Sequence, residues 1–366
     1  MARSKAGWTG ARIIALVAGV VLIVVAAVVV TQRGKSEANG CATPVTVRGV
    51  IGSEKEAFFD DQRVTGRLAC LGFTVEVDSR GSRDMLDTLN SDHGYAFAFP
   101  SSTPAAQKIM DSLGVGDPIP LFSTPMVVAT FRPIADVLTR AGVIQKAANG
   151  KDVVDIAALL DLARAGTTWD ELEGNTVYPA HKTVLLSTTD PQDSNSAIMY
   201  LSIAAQVANG GAIVTTEERT ATVLPDLCRL IFDQGQKPET SQVLFDNYLV
   251  EGMGRTPMAL VYEAQYVTSA PRPPLTDDNV MLFPRPTVYS RHTLIPLTPD
   301  GAAVGKALRD DPELVRLAVE HGYRPEKPLP GQKVADRPVD VVESPSFEVL
   351  ESMLAALAPA AGRCAL

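Results

Sequence analysis

The residues best suited to chemistry are small and hydroxyl-bearing, and they gather in four short polar turns. These are the turn at Ser53, the run 79–83 (Ser-Arg-Gly-Ser-Arg), the run 101–103 (Ser-Ser-Thr) and the longer loop 188–196. Each follows an apolar, strand-like run and opens a helical pattern. In open α/β sheets ligands bind at the carboxyl ends of strands, where helix N-termini present free N–H groups. Four such turns can converge on one small polar or anionic ligand. Taken singly, each Ser or Thr is equally suited to capping its own helix.

No catalytic pattern matches. The chain has no G-x-S-x-G elbow, no G-x-x-x-x-G-K-[ST] loop and no H-E-x-x-H. Gly252-Met253-Gly254 lacks a third glycine and a strand–helix setting. Asp190, Asp193 and Asn195 sketch a calcium loop, but Pro191 interrupts it and the required Gly and distal Glu are missing. The four histidines (His93, His181, His292, His321) lie far apart and there is no C-x-x-C pair, so neither a metal site nor a cofactor is expected.

The elements that must position these turns alternate. Residues 45–51 read as a strand, and Ser53 with Glu56 reads as a capping box opening a helix to about Leu71. Strands follow at 73–77 and 95–99, the latter leading into a helix with Thr103 as cap and Pro104 at its first position. A second set begins with a strand at 125–130. It continues with helices at about 152–165 and 168–173, a strand at 183–186, a long apolar helix at 197–208, a helix at about 221–234 and a strand at 257–262. After the Pro-rich run 270–274 come β-like runs to Leu297 and two helices, the second opening at Asp311-Pro312 and ending at Gly322. The last helix carries an apolar stripe of Phe347, Leu350, Met353, Leu354 and Leu357. Strands alternating with helices at this spacing predict a parallel sheet covered on both faces.

The chain has 366 residues, enough for two domains with real cores, and 46% apolar with 20% charged residues excludes a disordered chain. Its net charge is −9, with no basic run beyond the first 35 residues, which excludes a nucleic-acid binder. One stretch is apolar enough to span a bilayer: residues 13–30, eighteen without a charge, preceded by Arg3, Lys5 and Arg12. The positive-inside rule puts the N-terminus in the cytoplasm and the rest outside as a single-pass protein of the cell membrane. Taking those three cations from the net charge leaves −12 for the remainder. A cleaved signal peptide is the competing reading, and Cys41 after Gly40 hints at a lipoprotein site whose preceding residues are too polar. Either way the body is extracytoplasmic.

All four cysteines lie beyond that stretch, so two disulfides are permitted. Cys41 stands just before the first strand and Cys70 at the end of the helix that follows. In a βα unit the helix returns antiparallel to its strand, which predicts a Cys41–Cys70 bridge at the end opposite the cleft. The alternative is a buried Cys70 and a free Cys41. No comparable geometry joins Cys228 to Cys364.

The order strand–Gly52-Ser53–helix, strand–Arg80-Gly81-Ser82–helix, strand–Pro100-Ser101-Ser102 resembles the first lobe of bacterial type 2 periplasmic solute-binding proteins. The loop Thr189-Asp190-Pro191 to Ser194-Asn195-Ser196 resembles their second-lobe ligand loop, and Ala259-Leu260-Val261-Tyr262-Glu263 their return strand. Leu308-Arg309 and the run from Leu317 to Gly322-Tyr323-Arg324 resemble their closing helices. The likeness spans about residues 45–325 and is nearest to the solute-binding-like modules found with von Willebrand A domains, although no such domain is present.

The resemblance implies an α/β, two-lobed type 2 periplasmic-binding-protein-like fold, here with an N-terminal transmembrane helix. The expected layout is a cytoplasmic arm (1–12), an anchor (13–31) and a tether (32–44). Lobe 1 (45–122 and 277–325), lobe 2 (123–276) and a Pro-rich tail with a C-terminal helix (326–366) follow. Carried over by position, Ser53, Gly81, Ser82, Ser101 and Ser102 line the first-lobe side of the cleft, and Thr189, Asp190, Ser194, Asn195, Ser196 and Tyr262 the second. Asp190 opposes an anion unless Arg80 or Arg83 pairs with it. The implied function is binding of a small polar or anionic solute without turnover, for a transporter permease or a sensor, with a von Willebrand A protein as another partner. An interaction module with a vestigial cleft, or a hydrolase or transferase on the same scaffold, are the rivals.

Overall fold

The structure, a computed structural model, describes residues 41–81, 84–235, 237–267, 275–332, 338, 340–358 and 364. The expected arm, the anchor at 13–31, the tether up to residue 40, the Pro-rich 270–274, Ser82 and Arg83 lie outside these residues. Among the described residues no helix is long and apolar enough to cross a membrane.

The strands are β1 (Val45–Ile51), β2 (Phe73–Ser79), β3 (Phe97–Phe99), β4 (Ile119–Phe131), β5 (Ile144–Lys146) and β6 (Asp152–Asp155). They continue with β7 (Met258–Tyr262), β8 (Asn279–Arg285), β9 (Thr287–Pro296), β10 (Arg324–Pro325) and β11 (Val341–Val342). The main path runs β2-β1-β3-β9-β4-β8-β6-β5. β1 pairs parallel with β2 and β3, as expected for βα units, but β3–β9, β4–β9, β4–β7 and β4–β8 are antiparallel. The sheet is mixed rather than parallel because the chain returns through long strands that run against the βα direction.

One of these strands joins the halves of the molecule. β4 is thirteen residues long, pairing through Ile119–Pro125 with β9 and through Met126–Thr130 with β7. The lobe boundary expected after residue 122 therefore falls inside one continuous strand. The first part of β4 packs with Val47, Ile51, Phe58, Leu68, Phe99 and Leu294, while Met126 and Val128 belong to a larger cluster around Trp169, Tyr200 and Leu227.

Several local expectations shift for identifiable reasons. Ser53 does not cap: Ser53–Lys55 is a 3₁₀ turn, followed by a short helix Glu56–Phe59. The helix restarts at Gln62–Cys70 because Asp61 takes the Arg63 N–H and caps a new one. Ser102, not Thr103, caps the helix Thr103–Leu113 through the Ala105 N–H. The run 183–186 forms only isolated bridges at its edges, not a strand. Residues 152–155, expected to open a helix, are strand β6, and Asp155 caps the helix Ile156–Ala165.

The helix Asn195–Ala208 is apolar on all sides, and every residue from Asn195 to Ala205 is buried. A helix of that kind can only be a central one. Its N-terminus is thereby fixed at the boundary between the two lobes. The C-terminal helix Phe347–Leu357 packs into the same core with the expected Leu350, Met353, Leu354 and Leu357, whereas Phe347 lies at its edge under the Lys108 ammonium. The structure joins Cys41 to Cys70 and also Cys228 to Cys364, the pair for which the sequence offered no geometric reason. The second bridge ties the tail beyond that helix to the helical run that follows Leu227.

Candidate functional site

Two βα turns of the first lobe and two helix starts of the second face one another across a cavity of about 430 Å³. Gly52, Ser53 and Glu54 follow β1; Ser79, Arg80, Gly81 and Asp84 follow or end β2. Opposite them stand Asp193, Ser194 and Asn195 at the start of the central helix, Glu239, Thr240 and Ser241 at the start of Ser241–Glu251, and Tyr262 at the end of β7.

The walls touch. Asn195 Nδ2 donates across the cleft to the Ser101 carbonyl (3.3 Å) and, within its own lobe, to the Tyr262 hydroxyl (3.0 Å). A Cβ on Gly81 would stand 2.6 Å from the Asp193 carbonyl oxygen, so only glycine permits this approach. The lobes are closed on each other.

Beneath the first wall lies a buried polar cluster. Lys55 is fully buried, and its three ammonium hydrogens meet Glu54 Oε1, Ser101 Oγ (2.9 Å) and His292 Nδ1 (3.0 Å). Ser101 also donates to Glu54 Oε1. With Nδ1 accepting, His292 carries its proton on Nε2 and donates to Ser290 Oγ (3.1 Å), which donates in turn to the Ser101 carbonyl. Burial pushes the Lys55 ammonium below its ordinary pKa against the pull of Glu54. Burial, with the Lys55 charge second, holds His292 neutral well below the usual imidazole range. The Tyr323 hydroxyl donates to the Glu54 carbonyl at 2.7 Å and props this floor from below.

The motifs that resembled the return strand and the closing helices also meet. Arg324, just after Gly322-Tyr323, makes two 2.8 Å contacts with the carboxylate of Glu263, the residue after β7, and both side chains are buried.

The second wall is backed by a chain of neutral hydroxyls. Thr189 and Ser196 hydroxyls lie 2.7 Å apart, and Ser194 and Ser196 hydroxyls 3.0 Å apart. The Asp190 carbonyl accepts from the N–H groups of Asp193 and Ser194, and its carboxylate from Gln192 N–H. Burial raises the Tyr262 hydroxyl far above its ordinary pKa, so it stays protonated.

Of the expected site residues, Ser53, Gly81, Ser194, Asn195 and Tyr262 line the cavity. Ser101, expected to line the cleft, lies under it instead, fully buried in the lysine cluster. Ser102 caps its helix and faces a separate groove beside Lys108 and Phe347. Thr189 and Ser196 stand behind Ser194 as the hydroxyl chain rather than in the cavity wall. Asp190 forms the turn, with Lys237 at 4.0 Å as its cation, and Arg80 instead donates back to the Ser79 carbonyl. Ser82 lies outside the described residues.

Sequence reasoning missed Glu54, Asp84, Asp193, Glu239, Thr240 and Ser241 as lining residues, and Lys55 and His292 beneath them. The signal for His292 was present: Ser290, His292 and Leu294 alternate inward along β9 while Arg291 faces out. Among the described residues, no three His, Cys, Asp or Glu side chains come together as a metal site.

The fold with this cleft is that of type 2 periplasmic solute-binding proteins. Iron-bound HitA from Pseudomonas aeruginosa is similar with a TM-score of 0.59 at 13% identity, over 86% of this chain and 99% of that one. A periplasmic thiamin binding protein gives 0.56 at 8% identity, over 86% and 97%. The sulfate-binding protein SubI from Mycobacterium tuberculosis gives 0.50 at 14% identity, over 78% and 88%. At these identities the likeness is one of fold. No protein-family model matches the chain. No curated protein matches it either.

Proposed function

We propose that the chain is an extracytoplasmic solute-binding protein whose lobes close on a small polar solute and present it to a membrane permease or sensor. The observation that carries this reading is the cavity itself, bounded by turns of both lobes and crossed by the Asn195–Ser101 hydrogen bond. Closure of that kind captures a solute and needs no reacting group. The similar structures are named for binding iron, thiamin and sulfate, so the fold does not choose among ligand classes.

In the same reading residues 13–31 hold the body to the membrane from outside. The pairing of all four cysteines supports an oxidising compartment. A von Willebrand A protein is the other partner consistent with the sequence.

A thermal-shift screen of the purified full chain in detergent against oxyanions, amines, amino acids and sugars tests the function. Binding to the native state raises the midpoint by mass action. A shift of several degrees with one class supports solute binding. No shift with any class favours the interaction module, and product formation favours the enzyme.

A further inference from the structure

The floor of the cleft contains two acceptors that receive no hydrogen bond from the described residues. Asn195 is 6% exposed and lines the cavity, and its Oδ1 is buried with no hydrogen-bond partner. The orientation of the amide is fixed, since Nδ2 faces the Ser101 carbonyl, which can only accept. A flip would set two oxygens against each other. Buried polar groups are rarely left unpaired without a reason.

The second acceptor is Glu54. Its contacts with Lys55, Ser101 and His292 all fall on Oε1, leaving Oε2 of a side chain only 5% exposed. Ser101 holds the two acceptors together, its hydroxyl on Glu54 and its carbonyl on Asn195. Around them the described lining also carries the carboxylates of Asp84 and Glu239. A free oxyanion would meet acceptors at the floor. A primary ammonium group, with a positive charge and three N–H donors, satisfies both.

We infer that the solute carries a primary ammonium group, as an amine or an amino acid does, which donates to Glu54 Oε2 and Asn195 Oδ1 at the floor of the cleft. This rests on the solute-binding reading and narrows it.

Calorimetric titration of the full chain with putrescine, ethanolamine, glycine, choline, sulfate, phosphate and glucose tests it. A primary ammonium compound should bind at least about tenfold tighter than choline, whose quaternary nitrogen has the charge but no N–H to donate. Putrescine against glycine then tells an amine from an amino acid as the source. Asn195→Ala should weaken the best ammonium probe by about tenfold. Glu54→Gln alone strands the buried Lys55, so the double variant Glu54→Gln/Lys55→Met is used, with an expected loss of about a hundredfold.

Preference for sulfate, phosphate or glucose, equal binding of choline, or unchanged affinity in Asn195→Ala overturns the ammonium assignment while solute binding stands. Silence from every probe, with the lobes still folded by circular dichroism, removes the assignment together with the solute-binding reading.

Discussion

The two walls of the cleft solve the same problem with different physics. The first is ionic: Glu54 in the cleft wall is held by a wholly buried Lys55, itself fixed by Ser101 and His292. The second is held by neutral groups: hydroxyls of Thr189, Ser196 and Ser194 bond one another at the start of a helix buried along eleven residues. The ionic wall draws its partners from β1, β3 and β9, so its geometry exists only when the first lobe is assembled. The neutral wall is made of neighbours in sequence. One wall is set by the tertiary fold, the other by a loop.

That difference can be broken most forcefully at Lys55. Lys55→Met leaves Glu54 buried without its cation and should cost about 3–5 kcal/mol, read as a lowered denaturant midpoint. A loss below about 1 kcal/mol would show that the charges do not hold the first wall.

Acidity should act on the ionic wall through His292. His292 is buried neutral, facing Lys55, Glu54 and the Tyr323 ring, and its folded pKa lies well below the unfolded value of 6.5. Between those two values the unfolded chain binds the extra proton. Its contribution is therefore complete above about pH 6.5 and is lost on acidification, by up to about 1.4 kcal/mol per pH unit. Urea titrations from pH 7.5 to 5 should show this slope in the parent protein and a shallower one in His292→Gln.

On the neutral wall, Thr189→Val removes one hydroxyl from a chain whose other members keep a partner. The expected loss is about 1 kcal/mol with no pH dependence, measured in the same urea series. A loss as large as that of Lys55→Met would erase the contrast between the walls.

The smallest effect on stability, and the sharpest on geometry, belongs to Gly81→Ala at the contact between them. The added Cβ meets the Asp193 carbonyl across the cleft at 2.6 Å, a backbone atom that cannot swing aside, and within its own lobe the end of the Asp84 side chain at 3.2 Å. Stability should change by less than about 1 kcal/mol. Small-angle scattering should show a larger radius of gyration as the lobes are held apart, and an unchanged radius would deny the closed contact.

Legibility in the sequence followed the same division. The loop that forms the neutral wall could be read because Thr189 to Ser196 lie together before an unbroken apolar helix. The turns after β1 and β2 were readable from strand, glycine and serine in succession. The cluster under Glu54 was not, because Lys55 and His292 are 237 positions apart and neither looks buried by type. Asp61 hid a helix break, since two adjacent aspartates inside an apolar pattern read as a polar face rather than as a new cap. β4 was read from its second half only; its continuity across both halves of the molecule depends on pairing with β9, which no local pattern encodes.

The Cys228–Cys364 bridge sets an order of events for a chain made from its N-terminus. Cys70 emerges 29 residues after its partner, whereas Cys228 waits through another 136 residues. At about 5–20 residues per second that wait is roughly 7–27 s. Most of the second lobe is synthesised early, yet its core closes only when the C-terminal helix arrives. A ribosome stalled before the codon for Phe347 would thus leave an unpaired Cys228 beside an open apolar groove, while Cys41 and Cys70 could already be joined.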